Sequence, residues 1–316
     1  VTMRKLLKVP LITIATIAGL IGAALATTSI VNAVANASEA AELQPYGQRV
    51  DVDGKRMNVV ISGDAPETIV LLPGQGTAAP GLDFQPLVAE LSDQYRVVVV
   101  EPFGYGLSDQ TDVPRTSANI ADEVHTALHS LGIDRYVLAG HSITGVYALE
   151  YLQRYRDEVT AFIGIDTSVP TQPGTDEVTP TDGLEALKSL GILRVLTAIA
   201  PDPTAGLPYD AATKRQLAIL ANRNAMNPTL LDEIAHTPAN FRAARSQSFP
   251  ADLPILMFVV GDDPELADWV PLHEAQLAGI ARSELILLDG GHYLHHTESP
   301  QMAVDIKRFL GDTPTG

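Results

Sequence analysis

Two hydrophobic periods alternate along this chain. Val50 and Val52, then Met57, Val59 and Ile61, recur at every second position on either side of Asp53-Gly54, a pair that closes tight hairpins. Thr68–Leu72, Tyr95–Val100, Tyr136–Ala139 and Ala161–Ile165 are short apolar runs of strand length. The β-branched run Val97-Val98-Val99-Val100 suits a strand covered on both faces, as in a parallel sheet. Between these runs the spacing changes to three and four: Phe84, Leu87, Val88 and Leu91, then Ile120, Val124, Leu128 and Leu131, then Val146–Tyr155. Strand and helix in this order predict an α/β fold, a mostly parallel doubly wound sheet with helices on both faces.

The order breaks off between Pro170 and Pro250. Helical stretches at Leu184–Ile199 and Ala211–Ala225 are separated by Pro201, Pro203, Pro208 and Pro228, and no run there reads as a strand. Alternation resumes with a strand at Ile255–Val260, a helix near Leu272–Ala281, a strand at Leu285–Leu288 and a closing helix at Pro300–Leu310. A helical insert at 170–250 predicts a lid over the carboxyl edge of the sheet, where open α/β sheets bind their ligands.

The first residues follow a third pattern. Arg4, Lys5 and Lys8 precede an uncharged run from Val9 to Ser38, whose most apolar part ends at Ala26. Such a segment is either a secretory signal or a single membrane span, and the leading positive charge keeps its amino end in the cytoplasm. Ala33-Val34-Ala35 and Ala35-Asn36-Ala37 offer small-x-small cleavage sites, whereas the length of the uncharged run favours a retained anchor. Residues 1–38 are therefore expected to be signal or anchor. Residues 46–312 are expected to form one domain outside the cytoplasmic membrane.

Composition narrows the chemistry. A formal charge of −17 on 316 residues argues against nucleic acid and against an anionic surface as partner of the folded body. The absence of cysteine removes disulfides, thiolate metal sites and cysteine nucleophiles. What remains centres on Gly140-His141-Ser142-Ile143-Thr144-Gly145, which lies between an expected strand and an expected helix. A sharp strand-to-helix turn there would project Ser142 Oγ and leave the Ile143 N–H at a helix start, where developing negative charge is stabilised. Ser142 could instead only cap the helix.

Together with two further segments this turn resembles the α/β-hydrolase family, especially its lid-bearing esterase, peptidase and C–C hydrolase members. The resemblance covers residues 46–312. Glu101-Pro102-Phe103-Gly104-Tyr105-Gly106-Leu107-Ser108-Asp109 is similar to the family's D-x-x-G-x-G-x-S loop, and Gly291-His292 through Glu298-Ser299-Pro300 to its terminal G-H…E-x-P segment. Two departures stand out: Thr144 replaces the second glycine of G-x-S-x-G, and Pro73-Gly74-Gln75-Gly76 stands where the family has His-Gly.

The resemblance implies a nucleophile Ser142, a base His292 and an orienting carboxylate after the strand Ile255–Val260. Asp263 fits that place, with Asp262 and Asp166 as alternatives. His295 and His296 are alternatives for the base, and His141 reads as a packing neighbour of the nucleophile. The backbone N–H groups of Gln75 and Ile143 would form the oxyanion hole. Ser108 and Asp109 would hold their own loop. His292-x-x-His295-His296 could suggest zinc, but it lacks cysteine and any H-E-x-x-H pattern, so no metal and no cofactor is expected. The expected activity is extracytoplasmic hydrolysis of a carboxylic ester, or an amide, through an acyl-enzyme. The expected partner is a small ester or acyl substrate, with the membrane met only through the N-terminal segment and oligomeric state left open. Serine at 142 disfavours relatives with an aspartate nucleophile. A non-catalytic binding protein on the same fold is the second reading.

Overall fold

The computed structural model describes residues 2–261 and 268–311, with side chains from residue 13 onward. The chain divides into two compact units, Val1–Gln44 with Asp182–Ala205, and Pro45–Thr181 with Gly206–Gly316. The expected insert at 170–250 is thus shared between them.

The larger unit is built on a sheet of eight strands among the described residues: β1 Gln48–Val52, β2 Lys55–Ser62, β3 Thr68–Leu72, β4 Arg96–Glu101, β5 Tyr136–His141, β6 Val159–Ile165, β7 Ile255–Val260 and β8 Ser283–Leu288. Their order across the sheet is β1-β2-β4-β3-β5-β6-β7-β8. β1 and β2 pair antiparallel through the Asp53-Gly54 turn, β2 pairs antiparallel with β4, and every later pair is parallel. The fold is the expected mostly parallel α/β sheet.

In chain order the helices are α1 Thr2–Glu42, α2 Pro80–Asp83, α3 Gln85–Leu91, α4 Ser117–Ser130, α5 Thr144–Tyr155, α6 Leu184–Ser189, α7 Ile192–Ile199, α8 Ala211–Asn224, α9 Pro228–Ala244, α10 Trp269–Leu277, α11 Leu294–Thr297 and α12 Ser299–Gly311. Alternate strand residues serve opposite cores. Val70, Val98, Leu138 and Phe162 pack with Ile120, Val124 and Val146 of α4 and α5. Ile69, Val99, Ala139 and Ile163 pack with Leu87, Leu91, Ile306 and Phe309 of α3 and α12. Each valine, leucine, isoleucine or phenylalanine among them, fully buried, contributes about 1.5–3 kcal/mol, so both faces hold the strand ends in place.

Two local expectations change. The stretch read as one helix from Leu184 to Ile199 is two, because Gly191 takes φ +75° and turns the chain between α6 and α7. Pro228, read as a breaker, opens α9 instead. It occupies the first turn, where no N–H is needed, and the Asn227 side chain caps the Leu230 N–H at 2.9 Å.

The smaller unit contains α1, the one described helix long and apolar enough to cross a membrane. Within it α7 is held to α1 by Arg194. The guanidinium donates to both oxygens of Glu39 at 2.7 and 2.8 Å, to Asn32 Oδ1 at 3.0 Å and to Asn36 Oδ1 at 2.6 Å.

Candidate active site

The chain leaves β5 at His141, enters α5 at Thr144 and turns through Ser142, whose φ is +54°. A side chain in that region is strained by about 1–3 kcal/mol and persists only where its surroundings hold it. They do so here. The Ser142 N–H donates to the Ile165 carbonyl at 3.2 Å, and its carbonyl accepts from Gly145 at 3.0 Å and Ser168 at 2.8 Å. Ser142 lines a cleft of about 310 Å³ whose walls include the apolar Ile143, Ile234 and Phe241 and the polar Gln172, Thr175 and Thr179.

The neighbouring strand end supplies a carboxylate. Asp166 follows β6 with φ +43° and is 2% exposed. Its Oδ1 accepts from the Val260 N–H at 3.1 Å and from Trp269 Nε1 at 2.7 Å, and its Oδ2 lies 2.6 Å from His292 Nδ1. With its proton on Nδ1, His292 keeps a lone pair on Nε2. His141 fixes the backbone beside that ring by donating Nε2–H to the His292 carbonyl at 3.0 Å. Of the three carboxylates named from sequence, Asp166 meets His292, while Asp262 and Asp263 lie outside the described residues.

The loop after β3 runs alongside. Gly74 passes so close to the elbow that a Cβ there would lie 2.6 Å from His141 Nδ1 and 3.0 Å from Ser142 Cβ, so only glycine fits. Neither the Gln75 nor the Ile143 N–H has a hydrogen-bond partner among the described residues. Two free donors flanking a serine suit an oxyanion. The departures from the family pattern meet here: buried Thr144 donates its Oγ1–H to the Pro73 carbonyl at 2.8 Å, tying elbow to loop. Thr144→Val should leave that buried carbonyl unpaired, at a cost of about 1–3 kcal/mol, and lower kcat about tenfold while Thr144→Ser stays near wild type. Steady-state kinetics on a chromogenic ester and a thermal melt check both.

Sequence reasoning missed what steadies this loop from behind. Gly76 N–H donates to Tyr105 Oη at 3.2 Å, and the hydroxyls of Tyr105 and Tyr147 donate to the buried Glu233 of α9, each at 2.8 Å. Gln75 Nε2 reaches Thr237 Oγ1, also on α9, at 2.9 Å. Burial raises the Glu233 pKa, against the opposing pull of Arg115 and the two tyrosines. Sequence places Glu233 in the insert, 91 positions from Ser142, and nothing in its neighbours marks it. Ser108 Oγ donates to the Glu101 carbonyl within its own loop at 2.5 Å, whereas the Asp109 side chain ties that loop to β2, its Oδ2 accepting the Arg56 N–H at 2.8 Å.

His295 and His296 do not meet Ser142. Their Nε2 atoms lie 2.7 and 2.8 Å from the two oxygens of Asp83, which clamps the loop carrying His292 to α2. Burial alone would raise the Asp83 pKa, but the hydrogen bonds from both imidazoles carry it well below the usual range. One ligand atom from each of the three lies within 4.8 Å of the others, so the trio is also the described group best able to hold a cation.

Burial lowers the pKa of His141, His273 and His295. Each is free to protonate near 6.5 once unfolded, so the unfolded chain binds more protons as pH falls below that value. The stability they contribute is complete above about pH 6.5 and is lost on acidification. The melting temperature should therefore be lower at pH 5 than at pH 7.5, and an unchanged value would contradict the neutral assignment.

Comparison with known proteins agrees with the fold. Residues 69–306 match the model of the alpha/beta hydrolase family. A Bacillus subtilis protein described as uncharacterized protein YbdG is 33% identical over 171 residues, covering 52% of this chain and 53% of the relative. The chain spans about half the length, or less, of the curated relatives it matches. Among solved structures, a thermophilic esterase from Thermogutta terrifontis superposes with a TM-score of 0.65 at 21% identity, over 84% of this chain and 98% of its own. A bacterial membrane phospholipase A superposes with a TM-score of 0.59 at 19% identity, over 99% of this chain and all of its own. At these identities the two structures share the fold.

Proposed function

The chain belongs to the alpha/beta hydrolase family, and from that premise we propose that it is a serine hydrolase cleaving a carboxylic ester through an acyl-enzyme. Ser142 Oγ attacks the carbonyl carbon while His292 Nε2 takes its proton. The N–H groups of Gln75 and Ile143 receive the oxyanion. His292 returns the proton to the leaving alcohol, and a water activated by the same nitrogen releases the acid. Asp166, in place of Asp263, holds the imidazole in the tautomer that this requires and stabilises the imidazolium.

The observation that carries this reading is a strained serine at φ +54° whose chain neighbour His141 bonds the backbone of His292, a histidine whose Nδ1 lies 2.6 Å from a buried carboxylate. A purely binding role would leave that strain without a use. The cleft lining combines the apolar Ile143, Ile234 and Phe241, which would suit an acyl chain, with polar side chains suited to ester oxygens. An organophosphonate probe should label Ser142 alone in the folded protein, as located by mass spectrometry. Labelling elsewhere, or none, would overturn the assignment.

We further propose that α1 is retained as an anchor with the hydrolase body outside the membrane. Support comes from Arg194, whose partner Asn32 would leave with a signal cleaved after Ala35, and whose partner Asn36 would leave as well if the cut fell after Ala37. The mature protein should keep Arg4, Lys5 and Lys8. Amino-terminal sequencing that begins near Asn36 or Ser38 would refute retention, and a body protected from protease added to intact spheroplasts would refute export.

A further inference from the structure

We propose that the apolar face of α7 lies in the headgroup layer of the bilayer beside α1, so that a spanning helix and a short interfacial helix grip the membrane together. This rests on the reading of α1 as a retained span.

Ile192, Val195, Leu196 and Ile199 are spaced i, i+3, i+4 and i+7, which places them on one side of α7. Val195, Leu196 and Ile199 are 46%, 52% and 76% exposed. The single charge of α7, Arg194, points the other way and is neutralised by Glu39 of α1. What remains outward is a stripe of large aliphatic side chains without a charge among them.

The position of that stripe along α1 is fixed. Gly191, with φ +75°, lies so close to α1 that a Cβ would meet the Thr28 carbonyl at 2.5 Å and Asn32 Cβ at 2.8 Å. Asn32 Nδ2 donates to the Lys188 carbonyl at 3.2 Å. The head of α7 therefore rests against the stretch that begins two residues after Ala26, about 3 Å further along the helix axis. That is where the most apolar part of the run ends, and where a headgroup layer would begin around a spanning α1. Ile30 and Val34 of α1 are exposed at the same level on the side of α1 away from α7, so α1 is apolar there too.

Lipid fits this surface better than a second copy of the chain. A stable protein interface takes roughly 20–30 residues from each side, far more than this stripe provides. A helix with one aliphatic face settles about 5–10 Å into the headgroup boundary without further partners.

The chain has no cysteine, so single-cysteine variants report cleanly. Ile199→Cys, Gly22→Cys and Asp134→Cys would each carry an NBD fluorophore in the full-length protein reconstituted into phosphatidylcholine–phosphatidylglycerol vesicles. The label at 199 should emit to the blue and be quenched about threefold more by doxyl lipid than the label at 134, with little quenching by aqueous iodide. Arg194→Ala in the Ile199→Cys background should return the label to water. An aqueous label at 199 with a lipid-embedded label at 22 would overturn the docking of α7 and leave the anchor standing. Aqueous labels at both would overturn the anchor and the docking together. A label at 199 shielded from both quenchers, which becomes aqueous on dilution with excess lipid, would assign the face to a second copy and overturn the proposal.

Discussion

Ser142→Ala is expected to lower turnover of a chromogenic ester by about 10⁵–10⁶, since removing a triad nucleophile leaves only binding and oxyanion stabilisation. The same change should alter stability little. Alanine at φ +54° keeps most of the strain, and the serine backbone bonds to Ile165, Gly145 and Ser168 do not involve the side chain. Ser142→Gly separates the two quantities. Glycine adopts that φ freely, so the variant should be equally inactive yet gain about 0.5–1 kcal/mol in stability, visible as a higher melting temperature. A Ser142→Ala variant that retains more than a hundredth of the activity would exclude the proposed nucleophile.

Asp166→Asn should cost about 10⁴ in kcat with the fold retained, whereas Asp263→Asn should change it by less than about threefold. The Asp166 carboxylate can only accept, so His292 must place its proton on Nδ1 and keep Nε2 basic. An asparagine nitrogen at Oδ2 donates, draws the lone pair to Nδ1 and leaves the proton on Nε2, where it blocks proton uptake from Ser142. Oδ1 retains its acceptors' role toward Val260 and Trp269, which protects the local fold. Circular dichroism and kcat measured side by side test the pair. The opposite ranking of the two variants would move the orienting carboxylate to the loop after β7.

Much of this was legible from residue order. Period-two spacing gave the hairpin β1–β2, the valine run gave β4, and the small residues around Ser142 marked the turn after β5. His292 was proposed from its Gly291-His292 setting, by resemblance. The proposed orienting carboxylate was harder to choose for a geometric reason. β6 and β7 are parallel neighbours, so Asp166 and the loop after Val260 emerge at the same sheet edge although 94 positions separate Asp166 from Val260. Residue type and order alone give both loops an aspartate in reach of His292. The clamp of Asp83 on His295 and His296 and the seat of Tyr105 and Tyr147 on Glu233 were invisible for a related reason. Each joins elements more than eighty residues apart, and no local pattern encodes such a meeting.

The strand order carries a consequence for biosynthesis. Ser142 leaves the ribosome 150 residues before His292, and β8, which leads to His292, is an edge strand that pairs only with β7. If Ser142 and His292 act as proposed, a nascent chain therefore presents its serine long before its base is in place. Parallel pairing between distant segments is slow to form. If α1 starts the chain across a membrane, the serine remains inert during passage and becomes reactive once the last strand docks, on the side where the body folds. Under the proposed mechanism, the sequence order of the parts by itself keeps the serine inactive in transit.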